Sequence, residues 1–258
     1  MGKILAIAKR DVSAWLGTFS FYFLLALFFG VTGYFFWSNV SYFSLVSFQA
    51  ATNPAAEVRG LNLIEGVFSP FVLNMCVLLL LLIPLFTMRS FSEEKRLGTF
   101  ELLATYPVSD IQIVLGKFLS LLILLLFFIL PTLSYFYLAQ VVGAHFELSS
   151  LLSGYLGLFL AGMSFVALGM WMSSLTEHQA VSAGIGFVIL LFFWVVGWIA
   201  QWASPLMGSF FRELSLVDHL QDFTRGIIDT KHLAYFIFFI GFFLFSTLSA
   251  LEVRAWKR

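Results

Sequence analysis

Charged residues are scarce in this chain: they make up 11% of its 258 residues, while hydrophobic residues make up 60%. Soluble globular domains carry about 25% charged residues. The composition therefore excludes an ordinary soluble protein and indicates an integral membrane protein. The formal net charge is zero, which argues against a basic surface, so we predict no nucleic-acid partner.

Residues that hold metals are also few. The single cysteine, Cys76, lies in an apolar run, so no disulfide or cysteine-based metal cluster can form within one chain. The four histidines all lie between the predicted membrane spans, and we interpret them as surface residues; they are His145, His178, His219 and His232. We therefore predict no metal site.

Recognisable catalytic motifs are missing. The pair Gly116-Lys117 is followed by Phe118 and lacks the upstream glycine of a nucleotide-binding P-loop. Ser164 lacks the second glycine of a nucleophile elbow, and no histidine is available in the membrane to activate it. We predict that the chain is not an enzyme and has no cofactor of its own.

Six apolar segments have lengths comparable to the roughly 20 residues that cross a hydrocarbon core. They are residues 16–37, 70–88, 118–142, 151–173, 180–200 and 233–251. None contains Lys, Arg, Asp, Glu or His, and ion-coupled transporters often place such groups within their spans. We predict an all-α integral membrane protein with six spans in one domain, residues 1–258. The connection 38–69 is predicted as a long external loop with a short helix near Leu61–Phe68.

Two features inside the spans predict local structure. Gly157 and Ala161 are four residues apart, and small residues at that spacing let helices approach closely in lipid. Pro131 should interrupt the third span, because proline removes one backbone hydrogen bond.

The basic residues are unequally distributed between the two sides. An even number of spans puts both termini on one side, and that side collects ten Lys and Arg residues. The other side has only four, which are Arg59, Arg212, Arg225 and Lys231. By the positive-inside rule, both termini are predicted to be cytoplasmic.

Residues 2–15 precede the first span and form an amphipathic pattern. Ile4, Ile7 and Trp15 recur at helical spacing, while Lys9 and Arg10 occupy other faces. This pattern predicts a helix that lies along the membrane surface. The alternative is a solvated extension of the first span.

A second amphipathic segment lies within residues 201–232. Its apolar face is formed by Leu216, Leu220, Phe223 and Ile227. Ser215 followed by Asp218 resembles a helix N-terminal cap. Two interpretations of this external helix stay open: it re-enters the membrane as a lid, or it lies flat on the bilayer.

The segment Met88–Lys117 is the longest charged stretch between two spans, with eight formal charges, and it is predicted to be cytoplasmic. Ser90 with Glu93, and Ser109 with Gln112, match the capping box that begins a helix. The segment therefore predicts short helices beneath the membrane, and their apolar side chains suit insertion into a partner's groove. The alternative is a solvated loop packed on the headgroups.

These residues also carry a resemblance to a known family. The run RSFSEEKRLGTFELL from Arg89, the later Pro107-Val-Ser-Asp and Gly116-Lys117 resemble the signature of ABC-2-type permeases. The closest subgroup is the gliding-motility-type and copper-cluster-assembly-type permeases, which residues 173–177 and 216–229 also match. The resemblance covers essentially the whole chain.

The resemblance implies a half-transporter. Two permease chains would pair, each docked on one copy of a separate ATPase that holds ATP and Mg. Residues 2–15 would be the elbow helix, Phe91–Thr105 the coupling helix in the ATPase cleft, and residues 203–231 an external re-entrant hairpin. The implied coupling residues are Arg89, Phe91, Glu93, Glu94, Lys95, Arg96, Gly98, Thr99, Phe100, Glu101 and Leu103. The implied elbow residues are Ile4, Ile7, Lys9, Arg10 and Trp15, and the implied hairpin residues are Leu216, His219, Leu220, Phe223, Arg225 and Asp229.

The leading functional hypothesis is therefore the permease subunit of an ATP-driven exporter or force-transmitting complex in a bacterial inner membrane. Membrane lipid and a periplasmic or membrane auxiliary protein are further expected partners. The alternatives are a membrane anchor or signalling subunit that moves nothing and, less favoured, an ion-coupled secondary transporter.

Overall fold

The computed structural model describes residues 2–52, 62–98, 108–144, 146–200, 202 and 204–256. These residues form helices and contain no strand, so the all-α prediction is confirmed for them. The helices are α1 (Gly2–Leu16), α2 (Phe19–Thr52), α3 (Ser69–Thr87), α4 (Ser92–Arg96), α5 (Asp110–Ile129), α6 (Leu133–Val141), α7 (Leu148–Leu175), α8 (Gln179–Ile199), α9 (Pro205–Leu214), α10 (Leu216–Thr224) and α11 (Thr230–Trp256).

Six helical stretches are long and apolar enough to cross a membrane, as predicted. They are formed by α2, by α3, by α5 together with α6, by α7, by α8 and by α11. A single 3₁₀ turn at Leu130–Thr132 joins α5 to α6. This turn contains Pro131, so the predicted interruption of the third span is confirmed.

The predicted loop over residues 38–69 is wrong in its first half, because α2 continues to Thr52. The sequence between Gly33 and Pro54 contains no glycine or proline that would stop the helix. Residues 53–61 lie outside the described residues. The short helix predicted near Leu61–Phe68 is observed as a π-helical turn, Ile64–Phe68, that leads directly into α3.

Helix α7 is the centre of the bundle. Of its most apolar stretch, 78% is buried, against 17% for α2, 22% for α8 and 28% for α11. Small residues let neighbours approach: a Cβ atom on Gly162 would lie 2.7 Å from Leu125, and one on Gly169 would lie 2.2 Å from Thr87 Oγ1. Its 28 residues extend roughly 42 Å at 1.5 Å per residue. Each end of α7 holds one of the two polar sites described next.

Candidate functional site

The start of α4 is held by the last turns of α7. The backbone N–H groups of Phe91 and Ser92 donate to Ser173 Oγ at 3.0 and 3.1 Å. The Ser173 hydroxyl donates in turn to the carbonyl of Met88 at 3.0 Å. Ser92 Oγ donates back to the Ser173 carbonyl at 3.1 Å. All of these groups are buried or partly buried, so the position of α4 is fixed relative to α7.

The predicted capping box of Ser90 and Glu93 is wrong. Helix α4 begins at Ser92, and its first N–H groups bond to Ser173 rather than to a neighbour in sequence. A tertiary contact has replaced the local cap. The helix ends at Arg96, and Gly98 just beyond it has a φ of +70°, a conformation that favours glycine.

Replacing Ser173 by alanine should loosen α4. Two N–H groups lose their shared acceptor, and a buried unsatisfied donor costs about 1–3 kcal/mol. Hydrogen exchange of residues 91–96 should accelerate by about tenfold or more. Ser174→Ala is the matched control, because the Ser174 hydroxyl donates only to Trp171 within α7. Equal exchange rates in the two variants would contradict the assigned role of Ser173.

Four charged side chains join α4 to α1 and α5. Glu94 on α4 accepts from Lys117 Nζ on α5 at 2.9 Å and from Arg10 Nη2 on α1 at 2.9 Å. Asp11 lies 3.6 Å from Lys117 Nζ and 2.8 Å from Arg10 Nη2. We call Arg10, Asp11, Glu94 and Lys117 the charged junction. It connects three helices that are far apart in sequence.

The contacts of Lys117 are the strongest part of the charged junction. Its side chain is only 3% exposed, whereas that of Arg10 is 50% exposed. Exposed ion pairs contribute little, but a buried charge depends on its partner. Lys117 Nζ also lies 5.3 Å from the centre of the Phe91 ring, a favourable cation–π distance. Partial burial lowers the pKa of Arg10, but Asp11 and Glu94 outweigh this effect, so its pKa is raised overall and the guanidinium stays charged.

Helix α1 packs closely against α5. A Cβ atom on Gly116 would lie 2.9 Å from Ile7 Cβ, and Ile7 and Ala8 are buried. At the C-terminal end of α1, Trp15 meets Phe86 edge to face with ring centres 5.0 Å apart. The helical conformation is interrupted between Leu16 and Phe19, so α1 is a separate helix rather than an extension of the first span. Ile4 is half-buried, while Lys9 and Arg10 are exposed, as the amphipathic pattern predicts.

An open pocket of about 280 Å³ lies between α1, α3, α4 and α5. Its lining combines apolar and charged side chains, among them Trp15, Arg89, Glu93 and Lys117. The Arg89 guanidinium lies 5.2 Å from the Trp15 ring centre, and its Nε has no hydrogen-bond partner among the described residues. The pocket therefore borders the charged junction, and Asp11, Glu94 and Lys117 belong to both.

The structure brings together only part of the predicted coupling set. Arg89, Glu93 and Glu94 meet the predicted elbow residues Arg10 and Trp15 around the pocket and the charged junction. The ring of Phe91 lies beside Lys117. Lys95 donates to the Ser174 carbonyl, and Arg96 is exposed. The remaining predicted residues lie outside the described residues; they are Thr99, Phe100, Glu101 and Leu103.

Three residues of this site were absent from the predicted set, namely Asp11, Lys117 and Ser173. Lys117 carried a usable signal, because a lysine directly before a long apolar run needs an acidic partner if it is buried. Nothing in the sequence identified Glu94 as that partner.

The opposite end of α7 holds α10, and α9 packs beside α10 against α8. The predicted cap is confirmed, because Ser215 Oγ accepts from the Asp218 N–H at 3.3 Å. The apolar face of α10 is buried at Leu216, Leu220 and Phe223. It packs on α7, where a Cβ atom on Gly157 would lie 2.5 Å from Phe223 Cβ. The apolar face of this amphipathic helix is thus covered by protein.

Polar contacts fix the C-terminal end of α10. Ser153 Oγ donates to the Phe223 carbonyl at 2.8 Å, and the hydroxyls of Ser69 and Thr224 are 2.7 Å apart. The helix ends at Thr224 before Gly226, which has a φ of +88°. This ending leaves Ile227 54% exposed, so its predicted place on the buried face is wrong.

Two predicted hairpin residues lie at the edge of this region. Arg225 is half-exposed, and its Nε is 4.0 Å from Glu65 next to α3. Asp229 Oδ1 accepts from the Lys231 N–H at 3.0 Å, where α11 begins. Both residues therefore border the turn between α10 and α11, and neither belongs to the buried face of α10.

His219 contradicts the interpretation of the histidines as surface residues, because it is 3% exposed. Its Nδ1 lies 2.6 Å from His232 Nδ1 on α11, and its Nε2 lies 2.9 Å from the Glu213 carbonyl. Burial lowers the pKa of His219, and the nearby His232 and Lys231 act in the same direction against the raising effect of Glu213. Among the described residues, no group of three or more potential ligands is arranged to hold a metal ion.

Comparison with known proteins gives one clear result. A family model described as "ABC-2 family transporter protein" matches residues 38–243, which include α2 from residue 38 and continue through α9 and α10 into α11. No curated protein matches the chain significantly. The match covers well over half of the sequence and all six candidate spans in whole or in part. The chain therefore belongs to the ABC-2 family of transporter proteins, which form the membrane permease component of ABC transporters.

Proposed function

We propose that this chain is a permease subunit driven by a separate cytoplasmic ATPase, which would hold ATP and Mg. Two permease chains and two ATPases would form the complex in a bacterial inner membrane. The observation that carries the proposal is the anchoring of α4. Glu94 joins this short helix to α1 and α5, and Ser173 joins it to α7.

Force applied to α4 would reach three helices at once. Through Glu94 it would act on Lys117 at the start of the third span and on Arg10 in α1. Through Ser173 it would act on α7, the most buried helix of the bundle. The open pocket beside the charged junction leaves room for such a displacement. This arrangement supports a coupling role for α4 and an elbow role for α1.

The distribution of basic residues supports the orientation. Arg10, Lys95, Arg96 and Lys117 lie at the end of the bundle that we assign to the cytoplasm. Arg212, Arg225 and Lys231 lie at the other end, with α9 and α10. By the positive-inside rule this distribution supports cytoplasmic termini, and with that orientation α9 and α10 would form the external re-entrant hairpin.

The finer assignment follows the sequence resemblance. We propose membership of the gliding-motility-type and copper-cluster-assembly-type subgroup, on the motif from Arg89 onward and on residues 216–229. The chain has no long external insertion, since its longest connections outside the spans are a few tens of residues. Two modes of action stay open for the complex: it exports a cargo by itself, or it transmits force to an external partner.

The ATPase contact is tested by a double substitution. Phe100→Ala with Glu101→Arg should abolish co-purification with the ATPase in detergent, because it removes an apolar docking side chain and reverses an adjacent charge. Phe210→Ala with Arg212→Glu makes the same kinds of change at the opposite end and should leave co-purification intact. Unchanged association and ATP turnover in the first variant would reject the proposed docking segment.

A further inference from the structure

We propose that His219 and His232 form a proton-binding site in which two imidazoles share one proton and thereby clamp α10 to α11. We call this pair the histidine clasp. The inference rests on hydrogen-bond geometry at the hairpin end of the bundle and does not depend on the transport assignment.

The acceptors around the histidine clasp determine where its protons lie. The Glu213 carbonyl can only accept, so His219 Nε2, at 2.9 Å from it, must carry a hydrogen. The Asp222 carboxylate also only accepts when ionised, so His232 Nε2, at 2.8 Å from Asp222 Oδ2, must carry one too. The two Nδ1 atoms, 2.6 Å apart, then need one further hydrogen between them.

Three hydrogens on two rings make one imidazole and one imidazolium. The positive charge is balanced by the Asp222 carboxylate, which contacts His232 directly. A hydrogen bond between a charged and a neutral ring is shorter and stronger than one between two neutral groups. The histidine clasp therefore needs one positive charge, neither none nor two, to satisfy every ring nitrogen.

The histidine clasp is bordered by the Tyr235 ring and by helices of the bundle that carry no charge. The Tyr235 ring stacks on His219 with ring centres 3.9 Å apart, and its hydroxyl donates to the Leu214 carbonyl. The helices packed against α10 from the bundle, namely α3, α7 and α8, contain no charged residue. The charged groups on the elements next to the clasp are Arg212, Glu213, Asp218, Asp222, Arg225, Asp229 and Lys231, together with Glu65 of the π-helical turn, which lies 4.0 Å from Arg225.

Acid should open the histidine clasp. If a second proton binds between the two rings, both Nδ1 atoms carry a hydrogen. The two N–H groups then point at each other across 2.6 Å. Burial holds the pKa of His219 below its ordinary value, so this second protonation is absent above the usual histidine pKa of about 6.5. The contribution of the clasp is lost on the acid side as the pH falls through the lowered pKa of His219.

Alkali should weaken the histidine clasp by a different route. If the shared proton leaves, His232 retains one hydrogen, which it can donate either to Asp222 or to His219 but not to both. One of the two bonds is then lost. The connection between α10 and α11 should consequently be tightest in an intermediate pH window, so the hairpin end would respond to the proton concentration on its own side of the membrane.

The proton count can be observed directly. Two of the four histidines, His145 and His178, do not belong to the pair, so both are first replaced by glutamine. This variant, labelled with ¹⁵N-histidine and reconstituted in lipid bilayers, should show one neutral ring with hydrogen on Nε2 and one imidazolium within the window. The wild-type chain should show the same two signals together with those of His145 and His178. Two neutral rings, or two imidazolium rings, at every pH from 5 to about 9, a range centred near the ordinary histidine pKa, would overturn the proposal.

Hydrogen exchange of residues 216–224 tests the mechanical consequence. After correction for intrinsic exchange, the wild-type chain should show its slowest exchange at intermediate pH. His232→Gln should be about tenfold faster there and independent of pH. Asp222→Asn should abolish the faster exchange at high pH and keep the faster exchange at low pH. The reason is that the asparagine amide can donate to a His232 Nε2 that carries no hydrogen. If His232→Gln keeps the wild-type pH profile, the histidine clasp does not hold the two helices.

Discussion

Replacing Glu94 by glutamine should destabilise the folded chain by about 3–5 kcal/mol, because it leaves a buried lysine without its nearest carboxylate. Lys117 is only 3% exposed, and its Nζ lies 2.9 Å from Glu94. The remaining carboxylate, Asp11, is 3.6 Å away and also binds Arg10. Thermal unfolding in a fixed detergent should show a markedly lower transition temperature, with hydrogen exchange increasing first in α1 and α4.

A second substitution separates lost charge pairing from lost packing. Adding Lys117→Met to Glu94→Gln removes the stranded charge, and replacing a buried ion pair by apolar side chains is often neutral. The double variant should therefore be more stable than the single one. A double variant as unstable as Glu94→Gln would mean that Lys117 is not the cause. Asp11→Asn, which removes the longer contact, should cost less than Glu94→Gln.

The same variant distinguishes coupling from docking. In the proposed complex, Glu94→Gln should still co-purify with the ATPase, since Glu94 faces α1 and α5 rather than a partner. ATP turnover should no longer respond to cargo. The Phe100 and Glu101 double variant should instead lose the association itself.

Replacing Gly157 by alanine should displace α10 and cost about 1–3 kcal/mol, as overpacking does in a tight core. The added Cβ would lie 2.5 Å from Phe223 Cβ and 2.8 Å from Phe223 Cγ. These atoms are near the backbone, so the helix must move. Gly184→Ala is the matched control, because a Cβ there meets nothing within 4 Å. That variant should be neutral or stabilising by up to about 1 kcal/mol.

Hydrogen exchange locates the damage in the Gly157 variant. Residues 216–224 should exchange faster, while α4, at the other end of α7, should keep wild-type rates. A uniform increase across the chain would indicate general unfolding instead, and no change in α10 would contradict the close contact with Phe223.

The parts of the fold that the sequence predicts are those decided by local pattern. Six apolar runs of bilayer length predict the spans, and Pro131 predicts the 3₁₀ turn in the third one. The cap at Ser215 was also predictable, because its partner Asp218 is three residues away. In each case the deciding interaction lies within a single segment.

The pairings at the two sites are decided by contacts between distant segments. Arg10 and Glu94 are 84 residues apart, and Ser173 caps a helix about 80 residues before it. His219 and His232 are closer, but the buried state of His219 depends on the packing of α10 against α7. Periodicity and spacing carry no information about which charged residues share a buried position.

The separation between Arg10 and Glu94 has a consequence for biosynthesis. At about 5–20 residues per second, the ribosome needs on the order of ten seconds to make the 84 residues between them, and longer to reach Lys117. Helix α1 is therefore complete before its partners have been synthesised, while the first two spans enter the bilayer. Its amphipathic surface allows it to rest at the membrane interface during this time. The charged junction can close only once the third span is in place, and α4 receives its cap later still, when Ser173 has been synthesised.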